Sequence, residues 1–216
     1  FLEIRKTGLE AEKAMYTATN GVNTHKGLIF TLGIFCAAAG RCSREYQRRV
    51  TLQKLIDMEQ QMTSRILGLE LLEIMERSSK SGTIPTNGER NLLEYGASGI
   101  RGEAIQGYPS VIKLALPVLC QGMAEKRNRN KVKLQTLFTL MSSIQDSNIL
   151  SRGNPEVLKQ VQKEANDFLK KGGAYSENAL QELMKMDEEY IRRNISAGGC
   201  ADLLATAIFL EMFLKG

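Results

Sequence analysis

His25 is the only histidine in the chain, and it lies in a stretch suited to holding an anion: Asn20-Gly21-Val22-Asn23-Thr24-His25-Lys26-Gly27. This polar turn runs straight into an apolar segment beginning near Leu28. N–H groups at the start of a helix have no internal partner and carry partial positive charge. A lysine and a histidine placed there, with glycines allowing close backbone approach, suit a phosphate. An imidazole is also well matched to proton transfer near neutral pH. The plain alternative for His25 is a helix-start side chain bonded to backbone.

Three further turns share this grammar of small residues mixed with Asn, Asp, Glu or Arg beside a helix start. They are Gly96 to Ala104, Gln145 to Pro155, and Asn194 to Asp202. Lys26 and Arg101 are candidate phosphate grips, with Arg152 a third. Arginine offers a flat fork that matches phosphate oxygens, and lysine a point charge. Asp146, Asp202 and Glu103 are candidate hard ligands for Mg²⁺, which takes one or two carboxylates plus substrate phosphates. One of the three could instead be a general base. The plain readings are an N-cap for Asp146 and a first-turn dipole contact for Asp202.

Other chemistries find no support in the motifs. There is no G-x-x-x-x-G-K-[ST], no G-x-G-x-x-G after a strand, no nucleophile elbow and no pair of His ligands. Cys36, Cys42, Cys120 and Cys200 lack C-x-x-C spacing and read as small core residues of a reducing, cytoplasmic environment. The 29 Lys and Arg against 24 Asp and Glu leave a formal charge of +5, a mild bias toward anionic partners. The densest basic cluster, Lys126 to Lys133, has no interleaved aromatics and reads as a solvated loop, so no nucleic acid is expected. The longest apolar run, Gly27 to Gly40, is too short to span a bilayer.

The elements that must position these turns are helices. Only four prolines occur, and long stretches are rich in Leu, Glu, Lys, Gln, Met and Ala, all strong helix formers. Without Trp and with 6% aromatics, aliphatic residues must fill the core. The spacing predicts helices over Ile4–Thr19, Leu28–Ala39, Arg44–Arg77 with a break near Thr63-Ser64, Arg90–Tyr95, Val111–Met123, Val132–Ile144, Glu156–Lys171, Asn178–Arg193 and Leu203–Lys215. Ser78 to Gly88 reads as a loop. The expected fold is all-α: a single multi-helix orthogonal bundle over residues 1–216, with active-site turns at helix N-termini.

In this order, the four turns resemble the triphosphoribosyl-dephospho-CoA synthase family, which serves citrate lyase, with a close relative serving malonate decarboxylase. The resemblance rests on Gly21-Val22-Asn23-Thr24-His25-Lys26-Gly27, Gly99-Ile100-Arg101-Gly102-Glu103-Ala104 with Gly107-Tyr108-Pro109, Asp146 to Gly153, and Asn194 to Leu204. Ser147, Asn154, Ala197 and Cys200 depart from the usual Thr, Gly, Pro and Ser. The family's N-terminal Pro-Lys-Pro-Gly-like motif is absent, so a native N-terminal segment is expected to be missing.

The resemblance implies an enzyme, a transferase joining ATP to 3′-dephospho-CoA with release of adenine. Its product goes to an acyl-carrier-protein transferase. It implies Mg²⁺ with the triphosphate on Asp146 and Asp202, or one of them as base, with Glu103 as the alternative base. Lys26, Arg101 and Arg152 would bind phosphates. Asn23, His25 and Asn148 would orient substrate, with Gly27, Gly198 and Gly199 in the binding turns. A homo-oligomer is compatible with this reading. Two rivals are an all-α nucleotide pyrophosphohydrolase and a helical interaction module without chemistry. The module predicts that the four turns scatter over the surface.

Overall fold

The structure, a computed structural model of the chain, describes residues 1–46, 50–77 and 85–215. Among these there are eleven α-helices and no strand. They are α1 (Leu2–Ala18), α2 (Lys26–Tyr46), α3 (Leu52–Arg77), α4 (Asn87–Tyr95), α5 (Gly99–Ile105), α6 (Leu116–Ala124), α7 (Arg129–Met141), α8 (Ser147–Arg152), α9 (Pro155–Lys170), α10 (Ala179–Arg192) and α11 (Gly198–Lys215). A π-helical turn, Val111–Ala115, leads into α6, and a 3-10 turn, Gly173–Tyr175, separates α9 from α10. The all-α expectation holds.

The most apolar helices lie at the centre. Helix α11 packs against α2, α6, α7 and α8, burying Cys200, Leu203, Thr206, Ala207 and Leu210. Helix α2 buries Ile34, Phe35, Ala38, Ala39 and Cys42. Phe35 bridges the two halves of this centre, 4.8 Å from the Tyr108 ring and 6.3 Å from Phe209 of α11. Helix α9 is amphipathic and buries Leu158, Val161, Ala165 and Phe168, a helical stripe. Phe168 meets Phe138 of α7 at 4.4 Å. Helix α1 is different: only Met15 is buried.

Local chemistry sets most boundaries. Thr86 and Glu89 form a reciprocal capping box at the start of α4. Asn128 caps α7, and Asn154 caps α9 with Pro155 at its first position. Gly172, at φ 101°, ends the α9 segment in the left-handed region.

Four sequence expectations change. Helix α3 runs unbroken through Thr63-Ser64, because the Thr63 hydroxyl bonds back to the Glu59 carbonyl at 2.9 Å and its carboxylate at 2.8 Å instead of competing for the ladder. Residues 78–84 of the expected loop lie outside the described residues, and Asn87 and Gly88 belong to α4. Arg129, Lys131 and Lys133 are in α7, not in a loop. Only Cys42 and Cys200 are buried; Cys36 and Cys120 are exposed.

Candidate active site

The four turns meet. A cleft of about 1340 Å³ is lined by residues from all of them, with α1, α2, α3, α4, α5, α8 and α11 contributing its walls. Every residue singled out from the sequence lines it: Asn23, His25, Lys26, Gly27, Arg101, Glu103, Asp146, Asn148, Arg152, Gly198, Gly199 and Asp202. This convergence removes the main expectation of the interaction-module reading.

The inner end is organised around Asp146, which is 2% exposed. Its Oδ1 accepts the N–H of Asn148 at 2.8 Å and of Ile149 at 3.2 Å, capping α8. Its Oδ2 accepts the N–H of Cys200 at 2.8 Å, in the first turn of α11. One carboxylate therefore ties together two helix starts. Burial pushes its pKa up against the pull of these N–H bonds. The approach depends on bare backbone opposite: a Cβ on Gly199 would lie 3.1 Å from the Asp146 carboxylate, and one on Gly198 2.5 Å from Asn148 Nδ2. The glycine pair thus serves helix-to-helix contact directly. It lies inside α11, which begins five residues earlier than expected because Asp146 caps it in trans.

Asp202 stands one turn further along α11. Its carboxylate faces the N–H of Leu28 at the start of α2, and its Oδ2 would lie 2.3 Å from a Cβ on Gly27. Burial, reinforced by the negative charge of Asp146, raises its pKa to about 7. Glu103, in α5, accepts from the N–H of Ser110 at 3.1 Å and the hydroxyl of Ser110 at 2.5 Å. Burial raises its pKa as well. Asp146 and Glu103 thus receive N–H bonds where a helix begins, and Asp202 faces the first turn of another, as the macrodipole favours.

The cations sit nearer the mouth. Lys26 pairs with Glu12 of α1 at 2.9 Å, while its N–H bonds to Asn23 Oδ1 at 3.0 Å. The imidazole Nδ1 of His25 lies 2.7 Å from the Thr24 hydroxyl. Arg152 Nη1 donates to Asn194 Oδ1 at 3.3 Å. Arg101 Nε is 3.9 Å from Glu70 Oε2.

Sequence reasoning missed several cleft residues. Arg5, Glu12 and Glu70 sit within the charged faces of α1 and α3, where nothing in spacing separates them from solvent-facing neighbours. Asn91 is 2% exposed and donates from Nδ2 to the Ser147 carbonyl and to the Ser151 hydroxyl, both at 3.0 Å, fastening α8 to α4. The available signal was an asparagine beside Leu92 and one turn before Tyr95, on the side of a short amphipathic helix that faces inward. Among the described residues no group of three or more His, Cys, Asp or Glu forms a metal cage. No described helix is long and apolar enough to cross a membrane.

Residues 2–216 match the family described as CitG, ATP:dephospho-CoA triphosphoribosyl transferase. The chain is 39% identical over 213 residues to 2-(5''-triphosphoribosyl)-3'-dephosphocoenzyme-A synthase of Klebsiella pneumoniae, covering 99% of this chain and 68% of that protein. It is also 39% identical over 213 residues to Protein CitXG of Leuconostoc mesenteroides subsp. cremoris, covering 97% of this chain and 44% of that longer protein. A crystal structure of a protein from Archaeoglobus fulgidus shares the fold, with a TM-score of 0.54 at 17% identity over 99% of each chain. By sequence, over nearly its whole length, the chain belongs to the ATP:dephospho-CoA triphosphoribosyl transferase family.

Proposed function

We propose that this cleft carries the family's transfer: the 2′-hydroxyl of 3′-dephospho-CoA attacks C1′ of the ATP ribose, the C1′–N9 bond breaks, and adenine leaves. The observation that carries the reading is the meeting of Lys26, Arg101 and Arg152 with Asp202 and Glu103 in one cleft. Two phosphate-rich substrates need several cations, and an N-glycosidic bond breaking through an oxocarbenium-like state needs a carboxylate close to the ribose. The hydroxyl loses its proton and adenine leaves with the bonding pair and gains one, so no net proton is consumed.

Asp202 is the base in this reading, because a carboxyl with a pKa of about 7 holds and releases a proton near neutral pH. Glu103, engaged twice by Ser110, faces the developing positive charge. Asp146 is bound by three N–H groups and acts as the positioning residue for Asn148 and for α11. Asp146 is a hard oxygen donor beside Asp202, which fits Mg²⁺ arriving with the triphosphate; held there, the ion would offset phosphate charge and leave the Asp202 carboxyl free to take the proton. His25 and Lys26 hold the triphosphate, with Asn23 shaping their turn. The same reading places the protein in the cytoplasm with its nucleotide substrates, and passes the product to an acyl-carrier-protein transferase.

The test is to incubate the protein with ATP, Mg²⁺ and dephospho-CoA and to measure free adenine. The rate should rise with pH through about 7, and Asp202→Asn should remove that dependence and slow release about 100-fold or more, the scale of a lost general base. Pyrophosphate without adenine would instead support the pyrophosphohydrolase.

A further inference from the structure

On the α1 side of the cleft, Arg101 belongs to an arrangement whose other members, Arg5 and Glu70, the transfer reading leaves unused. Arg5 of α1 grips Glu70 of α3 with both arms of its guanidinium: Nη2 reaches Oε2 at 3.0 Å and Nη1 reaches Oε1. Arg101 of α5 approaches the same carboxylate, Nε to Oε2 at 3.9 Å. The Arg5 guanidinium also lies over the Phe1 ring, 4.6 Å from its centroid. The Arg5, Glu70 and Arg101 side chains are 30%, 25% and 39% exposed, and all three residues line the cleft.

Two guanidinium groups around one carboxylate leave a net positive charge. They also leave N–H donors that the carboxylate does not engage, since each guanidinium carries more donors than it uses here. Like charges this close would separate without the anion between them, so Glu70 fixes the spacing of the pair. Partial burial reduces the screening that makes exposed pairs weak. The planar fork of arginine matches a phosphoryl group as well as it matches a carboxylate.

We propose that Arg5 and Arg101 form a phosphoryl seat at the α1–α3–α5 side of the cleft, with Glu70 as the positioning residue that keeps both guanidinium groups turned toward it. This rests on the transferase reading for its substrates, which are the two phosphate-bearing nucleotides. The ligand chemistry is a phosphoryl group of either one. Arg5 is then a binding residue contributed by a helix that otherwise buries a single side chain.

The test uses the full chain with Arg5→Gln, Arg5→Lys, Glu70→Gln and the double variant. Titration with inorganic tripolyphosphate and with pyrophosphate reads the seat without catalysis, and adenine-release kinetics read the KM for each nucleotide. Arg5→Gln should weaken anion binding about tenfold and raise one KM by a similar factor, the scale of one charge-assisted hydrogen-bonded pair, with kcat and the other KM within about twofold. The nucleotide whose KM moves is the one seated. Arg5→Lys should lose less, keeping charge without the fork. Glu70→Gln should raise the same KM about threefold, with the double variant losing less than the product of the two single effects, since Glu70 acts partly through Arg5 and partly through Arg101.

If neither Arg5 variant moves anion affinity or either KM by more than twofold, there is no seat. A KM that falls in Glu70→Gln makes the carboxylate a competitor and overturns its positioning role. If no adenine is released but Arg5→Gln still weakens tripolyphosphate binding, the seat stands and the transferase reading falls. Should Arg5→Gln melt far below the parent, the Arg5→Lys and Glu70→Gln arms decide.

Discussion

Where α8 and α11 begin, one carboxylate that is 2% exposed accepts three backbone N–H groups, and two glycines bring the helix starts within contact. Across the cleft, α1 buries only Met15 and meets its neighbours through Lys26–Glu12 and Arg5–Glu70, pairs that water reaches. The first region has fixed geometry, because an unmade bond to a buried polar group costs its full desolvation. The second has more adjustable geometry, because ion pairs that water reaches are weaker than buried bonds and partly screened by salt. The groups proposed to act on the reacting atoms lie in or against the first region. Cations suited to charged tails, whose position need not be exact, lie at the second. A cleft that must accept two flexible phosphate-bearing substrates is well served by this division.

The sharpest way to break the contrast is Asp146→Asn. An amide cannot accept at every position that the carboxylate does, so one of the three N–H groups loses its partner. Thermal melting should show a loss of about 1–3 kcal/mol, the cost of an unsatisfied buried group. Adenine release should fall about 100-fold, the effect of a displacement of roughly 1 Å at a reacting centre. Wild-type melting would mean that the inner region is not rigid.

Gly27→Ala separates geometry from stability. The new methyl would sit 2.3 Å from Asp202 Oδ2, so the carboxylate must leave the N–H of Leu28. Alanine also favours helix over glycine by about 0.5–1 kcal/mol, so the melting temperature should hold or rise while kcat falls about tenfold. In its place, Asp202 should also move the stability curve with pH. Its pKa is raised from 3.8 to about 7 in the fold, so its contribution is fully present below about pH 4 and is lost as pH rises through 7. Asp202→Asn should flatten that decline.

The smallest effect belongs to α1. Glu12→Gln leaves Lys26 without its partner, yet stability should change by less than about 1 kcal/mol, as for other exposed pairs. Any change in KM should shrink as salt is raised. A large, salt-insensitive loss would place α1 in the same class as the inner wall.

The turns were legible because helix starts impose local rules: Asn, Asp, Gly and Pro act over two or three residues, and sequence shows them. That the turns face one another was not legible, since it depends on how α2, α8 and α11 pack. Helix α8 escaped notice because six residues, Ser147 to Arg152, give no period to detect. Arg5 and Glu70 are 65 residues apart, and each looks like an ordinary surface charge until α1 and α3 lie side by side. Asp146 was read as either a cap or a site carboxylate, and it caps one helix in its own segment and another 54 residues away.

That last link bears on the order in which the protein assembles. Until α11 has been made and docked, one oxygen of Asp146 has no backbone partner and Gly198 to Asp202 are not in place. The turns nearer the N-terminus can fold with α2, α3 and α5, but they enclose no complete cleft. A chain still being synthesised therefore offers no finished cleft to the nucleotides around it, and the cleft closes in the same step that docks α11 into the core.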